Sequence, residues 1–212
     1  MKRILVIERE YGAGGSDIAE RTAKRLGWKL LDQELTAEIA RLAKVKPDVC
    51  QKREERIDPW MYRLSKVFWR GSHERSVQFN DADILDADRL LCLSQQVVEQ
   101  AAVAGQCVIV GRGAPYFLRD HDDTYCVFLY ASRDAKFQRV RLRIKSDTEA
   151  INLVDTVDEE RAEFIQHYFK VQWPSRHLYH AMLNTDAGVE ETVNTILYLM
   201  EAANKKAGGD QT

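Results

Sequence analysis

Apolar residues arrive along this chain in short blocks, and the blocks alternate with helical stripes. Ile4-Leu5-Val6-Ile7 is a continuous run rich in β-branched residues, the pattern of a strand buried on both faces of a parallel sheet. From Asp17 to Leu26 the period changes. Ile18, Thr22 and Leu26 fall on one stripe, and Gly27 supplies a C-terminal stop. Lys29-Leu30-Leu31 predicts a short second strand that ends at Asp32, and Glu34 to Lys44 a helix with Leu35, Ile39 and Leu42 on one face. Pro47 and Pro59 mark helix starts or breaks, the stretch PWMYRLSKVFWR reads as an aromatic and basic helix, and Gly71 to Asp81 reads as a polar loop. Asp83 to Ala104 predicts a long helix with Leu90, Leu93, Val97 and Ala101 on one stripe, closed by Gly105.

The second half repeats the alternation. Gln106 to Val110 predicts a third strand, Pro115 to Arg119 a short helix and Tyr125 to Tyr130 a fourth strand. Ser132 can cap a helix that carries Lys136, Arg139, Arg141 and Arg143. Ser146 to Val157 reads as a polar linker and Asp158 to Val171 as a helix broken at Trp173-Pro174. Leu178 to Leu183 predicts a fifth strand and Val189 to Asn204 a closing amphipathic helix, with KKAGGDQT as a frayed tail. Strands alternating with helices imply an α/β fold: a five-stranded parallel sheet, helices on both faces, right-handed crossovers.

Totals narrow the class without naming a function. The chain has 212 residues, 45% hydrophobic and 30% charged, which suits one globular domain. A net charge of -2 leaves no overall basic footprint for nucleic acid. Cys50, Cys92, Cys107 and Cys126 show neither a CxxC pair nor metal-finger spacing, so they read as free thiols of a reducing cytosol. The N-terminal apolar stretch is too short for a signal peptide, and no window approaches a membrane span. A cytoplasmic protein without membrane or nucleic-acid partners is the expectation; nothing in the pattern specifies an oligomer.

In open parallel sheets ligands sit at the carboxyl ends of the strands. Here those ends carry the cluster Gly12-Ala13-Gly14-Gly15-Ser16, then Asp32, then Gly111-Arg112-Gly113, Ala131-Ser132 and Asn184-Thr185. Backbone N–H groups of a glycine turn beside a helix N-terminus attract phosphate oxygens. Against the pattern GxxxxGK(S/T), residues Arg9 to Ser16 keep Gly14 and Ser16; Arg9 stands in the first glycine slot and Gly15 in the lysine slot. A tight turn with no ligand accounts for the loop about as well. Arg112, between two glycines, can grip a phosphate with paired N–H groups, or pair with a nearby aspartate. Arg139 and Arg143 share a helical face, as a phosphate site or a solvated basic face. Asp32 suits a substrate hydroxyl, a metal held through water, or a helix N-cap. Asp158 and Arg161, three apart, suit a local ion pair. His73, His121, His167, His177 and His180 share no metal or triad spacing.

The pieces EREYGAGGSDIAERTAKRLGW, KLLDQEL, CVIVGRGA, VFLYASRDAKFQRVR, VDEERAEF and LNTD run in order along nearly the whole chain. Together they resemble the cytidylate kinase-like family of P-loop nucleoside monophosphate kinases. The resemblance implies a three-layer fold with a core of about 1–32 and 105–205, a helical acceptor-binding insertion of about 33–104 and a short lid of about 144–160. It implies transfer of the ATP γ-phosphoryl group to a small-molecule acceptor, CMP or dCMP by default, with Mg2+. By position, Gly12, Ala13, Gly14, Gly15 and Ser16 would hold the donor phosphates and Ser16 would touch the metal. Arg112 would meet the acceptor phosphate, with Asp32 and Asp158 on the acceptor side. Lys136 and Arg139 resemble the basic residues before the lid, and Asp158 and Arg161 its edge. The chain departs from the family pattern at Gly15, at Gly113 (where GRD has aspartate) and at the DQE of residues 32–34. Loss of the lysine needs another cation; Arg9, Arg139, Arg143 and Arg161 are the candidates. A nucleotide-binding regulator without transfer and a kinase for a non-nucleotide acceptor are the other readings. For the latter, Trp60, Tyr62, Phe68 and Trp69 could stack a ring or pack a helix.

Overall fold

A computed structural model of the chain describes residues 1–32, 38, 42 and 87–209. Five strands, β1 (Ile4–Arg9), β2 (Lys29–Leu31), β3 (Cys107–Val110), β4 (Thr124–Tyr130) and β5 (Ala181–Asn184), form one sheet. Its order is β2-β3-β1-β4-β5 and every pairing is parallel. β1 is central because Ile4 to Ile7 are fully buried and need cover on both faces.

Alternation along β1 sorts the two helical layers. Leu5 and Ile7 face α1 (Gly15–Leu26) and α6 (Val189–Gly209), meeting Ile18, Ala19, Ala23, Val193, Ile196 and Met200. Ile4 and Val6 face the other layer, with Leu90 and Val97 of α2 (Ala87–Ala104), Ala114 of α3 (Ala114–Phe117), and Phe164 and Ile165 of α5 (Asp147–Phe169). Burying one such Leu or Ile is worth about 1.5–3 kcal/mol, so these two layers hold the sheet. A satellite cluster of Val140, Ala150 and Val154 joins α4 (Arg133–Arg141) to α5.

Helix ends follow local chemistry. Gly14 and Gly27 bound α1 in the left-handed conformation, and the Gly27 N–H donates to Ala23 and Lys24 carbonyls. The Ser132 hydroxyl accepts from the Ala135 N–H and caps α4.

Several expectations need correction. The stretch expected as a polar linker, Ser146 to Val157, is the first half of α5: Ser146 caps it by accepting from the Glu149 N–H, and Ala150, Leu153, Val154 and Val157 form its buried stripe. Of the segment expected as a lid, 144–160, residues 147–160 belong to that helix, which leaves the expectation of a lid as it stands. α4 stops at Arg141, so Arg143 does not share a helical face with Arg139. β1 runs on through Glu8 and Arg9, both buried. α6 continues to Gly209, through residues expected to fray. β5 begins later than expected, after a short 3-10 turn at Arg176–Leu178. The helix at Glu34 to Lys44 (residues 38 and 42 apart), Cys50, the aromatic segment, the loop at Gly71 to Asp81 and most of the insertion lie outside the described residues. Among the described residues, no helix is long and apolar enough to cross a membrane.

Candidate functional site

The chain leaves β1 at Arg9 and reaches α1 through Gly12 and Gly14, with φ of 78° and 77°. The N–H groups in the first turn of α1 have no acceptor within the helix and lie at the positive end of its dipole. Only glycine fits position 12: a β carbon there would stand 3.0 Å from the Lys136 carbonyl oxygen and from Val140 Cγ2. The far side of the turn is tied to the end of β5. Thr185 Oγ1 donates to the Ala13 carbonyl at 2.9 Å. Arg139 Nη1 donates to that same hydroxyl at 2.9 Å and to the Gly12 carbonyl at 3.4 Å, while Nη2 donates to the Thr185 carbonyl at 2.8 Å. The Arg139 side chain comes within 4.0 Å of where a Gly14 β carbon would stand. On the other side, Ser16 Oγ donates to Asp32 Oδ2 at 3.1 Å, so a hydroxyl and a carboxylate meet where the loop turns into the helix. An oxygen pair of this kind suits magnesium, which keeps several waters and needs few protein ligands. Among the described residues no cluster of three or more His, Cys, Asp or Glu forms a metal cage.

Three guanidinium groups gather beneath this loop. Arg9, Arg112 and Arg161 are each buried to below a tenth of full exposure. Gly111, Arg112 and Gly113 all take positive φ, of 64°, 62° and 76°. A non-glycine residue held there costs about 1–2 kcal/mol, a strain that tends to cluster at functional positions. Burial, and next the charge of Arg9, push the Arg112 guanidinium down to about 9; Asp32 opposes and Arg161 adds to the fall. At neutral pH Arg112 therefore remains a cation, placed where an incoming anion would be welcome.

Arg161 and Asp158 belong to a tighter network. Asp158 Oδ1 accepts from the Tyr11 N–H at 2.8 Å and from Arg161 Nη1 at 3.0 Å; its Oδ2 accepts from Lys136 Nζ at 2.9 Å. Lys136 also reaches Glu10 Oε2 at 3.2 Å. Arg161 Nη1 donates to the Arg9 carbonyl at 2.6 Å, and its guanidinium lies 5.2 Å from the Trp173 ring centroid. Burial lowers the Arg161 guanidinium, and Asp158 pulls it back up. Burial alone would lower the Lys136 ammonium; Asp158 and then Glu10 outweigh it and hold it above its ordinary value. Arg161 Nη2 is buried with no hydrogen-bond partner among the described residues, a donor suited to an anion or water.

Of the residues expected from sequence, Gly12 to Ser16, Asp32, Arg112, Arg139, Asp158 and Arg161 all lie around one rim. Asp158 meets the loop from behind and acts through Tyr11, Lys136 and Arg161. Arg143 instead faces Asp17 at 3.8 Å, and Arg141 pairs with Asp147 in solvent. The sequence pattern does not single out Glu8 or Glu10, and it places Thr185 at the end of the fifth strand without its ties to Ala13 and Arg139. Their signal was position alone: a charged triplet directly after a fully apolar run, and a threonine one residue past a strand. His180 accepts from the Cys126 N–H and stacks on Tyr125, away from the rim.

A glycine turn from the central strand into a helix, with strand order β2-β3-β1-β4-β5, defines an α/β domain of the P-loop kinase type. Within that class the chain belongs to the Cytidylate kinase-like family, whose profile matches residues 4–187. No curated protein matches the chain significantly. Among solved structures it is similar to an uncharacterized protein from Eubacterium ventriosum, at a TM-score of 0.65 and 20% identity, covering 95% of this chain and 99% of that one. It is also similar to a shikimate kinase from Bacteroides thetaiotaomicron (TM-score 0.53, 20% identity, 93% and 98% covered) and to a gluconokinase from Sinorhizobium meliloti (TM-score 0.52, 13% identity, 100% of both chains covered). At these identities the likeness is one of fold.

Proposed function

We propose that the chain is a cytoplasmic phosphotransferase that moves the γ-phosphoryl group of ATP, with Mg2+, to a small-molecule acceptor, CMP or dCMP by default. The observation that carries this reading is the convergence on one rim of the Gly12–Ser16 turn, the Ser16–Asp32 pair and the buried Arg112 and Arg161 guanidinium groups. The first-turn N–H groups of α1 would hold the donor phosphates, with Arg139 along their edge. Ser16 and Asp32 would hold magnesium, which supplies charge neutralisation on the phosphates when bound. Arg112 would orient the acceptor anion and Arg161 the transferring group. An acceptor oxygen forms the new bond to the γ phosphorus as the bond from that phosphorus to the β–γ bridging oxygen breaks, and the electron pair leaves on ADP. With a monophosphate acceptor the attacking oxygen is already anionic and no proton need move.

Two observations favour a second reading, a non-nucleotide acceptor: the DQE of residues 32–34 departs from the family's acceptor motif, and the similar folds above include kinases named for shikimate and gluconate. One assay separates them. ATP and magnesium are supplied with a panel of nucleoside monophosphates, sugars and hydroxy acids, and ADP release is followed. Product with CMP or dCMP supports the first reading and product only with an alcohol acceptor the second. Nucleotide binding without turnover on any acceptor would leave a regulator and refute the transferase. Ser16→Ala should lower turnover about tenfold or more wherever it is found.

A further inference from the structure

We propose that Arg9 joins Arg161 on the transferring phosphoryl group and stands in the place of the lysine that position 15 lacks. The inference rests on the phosphoryl-transfer reading and names the residue that completes it. Two glycines show where the arginine goes. A β carbon on Gly15 would stand 2.7 Å from Arg9 Cγ, 3.2 Å from its Cβ and 3.3 Å from its Cδ. The arginine stem therefore fills the space into which any side chain at position 15 would grow. At the other end, a β carbon on Gly111 would stand 2.2 Å from Arg9 Nη1 and 3.3 Å from Cζ. The guanidinium thus lies at the first residue past β3, while the stem lies at the start of α1.

β1 and β3 are neighbours in the sheet, and the Gly111 N–H donates to the Ile7 carbonyl at 3.0 Å. The Arg9 side chain spans the seam between their carboxyl ends. That seam lies between the glycine loop, which follows β1, and Arg112, which follows β3, so on this proposal the guanidinium serves the group that passes from one to the other. A lysine at position 15 would reach the same seam from the helix side; the arginine reaches it from the strand side. Its planar fork presents parallel N–H donors to two phosphoryl oxygens in a fixed geometry, whereas an ammonium acts as a point charge. The charge environment agrees: Arg9 is one of the groups that push the Arg112 guanidinium down, so the two cations stand close in a buried place. The competing explanation is that Arg9 only balances Glu8, whose Oε1 lies 3.5 Å from Nη1.

The test compares the full-length chain with Arg9→Gln, Arg9→Lys and the exchange Arg9→Ala/Gly15→Lys. Calorimetry gives Kd for Mg·ATP and Mg·ADP, and the panel assay gives turnover. Expected for Arg9→Gln are ADP affinity within about threefold of the parent, loss of most of the preference for ATP over ADP, and turnover down about a hundredfold or more. Arg9→Lys should keep part of the turnover. The exchange should recover about tenfold or more over Arg9→Gln, because removing the arginine stem makes room for the lysine. A folded Arg9→Gln chain whose turnover and ATP-to-ADP ratio stay within about threefold of the parent would overturn the proposal and leave Arg9 as the partner of Glu8. A parent chain that binds neither nucleotide would overturn the transferase reading itself, and Arg9 with it. If Arg9→Gln does not fold, Glu8→Gln/Arg9→Gln removes both charges together and is read in the same way.

Discussion

Replacing Asp158 by asparagine should destabilise the fold far more than replacing Asp155, although the latter makes the better-formed ion pair. Arg133 meets Asp155 through two parallel bonds of 2.8 and 2.7 Å, but both side chains are about half exposed, 59% and 45%. Solvent-exposed pairs contribute little. Asp158, 15% exposed, faces Lys136 and Arg161, which are 11% and 9% exposed, and also takes the Tyr11 N–H. Removing one partner of a buried pair costs about 3–5 kcal/mol because the other charge is left buried. Here the loss is softened: Lys136 keeps Glu10 at 3.2 Å, and Arg161 keeps the Arg9 carbonyl at 2.6 Å. An asparagine carbonyl can also still accept from Tyr11. The net cost should be about 2–4 kcal/mol. At about 2–4 °C per kcal/mol for a chain of this size, Tm should fall by roughly 5–15 °C.

The pH dependence carries a sign. The folded Lys136 lies above its ordinary 10.5, so its ion-pair stabilisation is fully present below that pH and is lost as pH rises through the folded value. The parent should lose stability above about pH 10.5, and Asp158→Asn should show a shallower loss there. Thermal melts of parent, Asp158→Asn and Asp155→Asn at pH 7 and in an alkaline series measure both effects. If the two variants melt together, or if the alkaline slope does not change in Asp158→Asn, the network does not hold the loop.

Two more outcomes are expected. Gly12→Ala should cost about 2–4 kcal/mol in urea unfolding, combining left-handed strain with contact against the Lys136 carbonyl, whereas Gly27→Ala should cost about 1 kcal/mol. The difference follows from the space: nothing lies within 4 Å of a Gly27 β carbon. Cys107 and Cys126 should resist iodoacetamide at pH 8 in the native chain and label readily in urea, because burial pushes their thiols up to about 11 and about 12.

The strands were legible because a parallel sheet demands apolar blocks, and Ile4–Ile7, Cys107–Val110 and most of Thr124–Tyr130 supply them. The rim followed from the strand ends. The first half of α5 was misread because its polar composition masked a valid helical stripe; the Ser146-x-x-Glu149 cap was the better guide. The burial of Glu8 and Arg9 could not be read from period two, since charged residues in a central strand need opposite charge beside them: Glu8 Oε1 lies 3.5 Å from Arg9 Nη1, and Glu8 also favours the charged form of Arg161, brought from far along the chain. Likewise the tie from Thr185 to Ala13 joins residues 172 positions apart, beyond any local pattern.

Among the described residues β2 has three residues and a strand neighbour on one side only, yet Asp32 at its end is what the Ser16 hydroxyl grips. The carboxylate half of the rim thus hangs from an edge of the described sheet, while the loop half is rooted in its centre. Local fraying should be unevenly shared between them, and whatever engages Ser16 and Asp32 together would splice that margin to the middle.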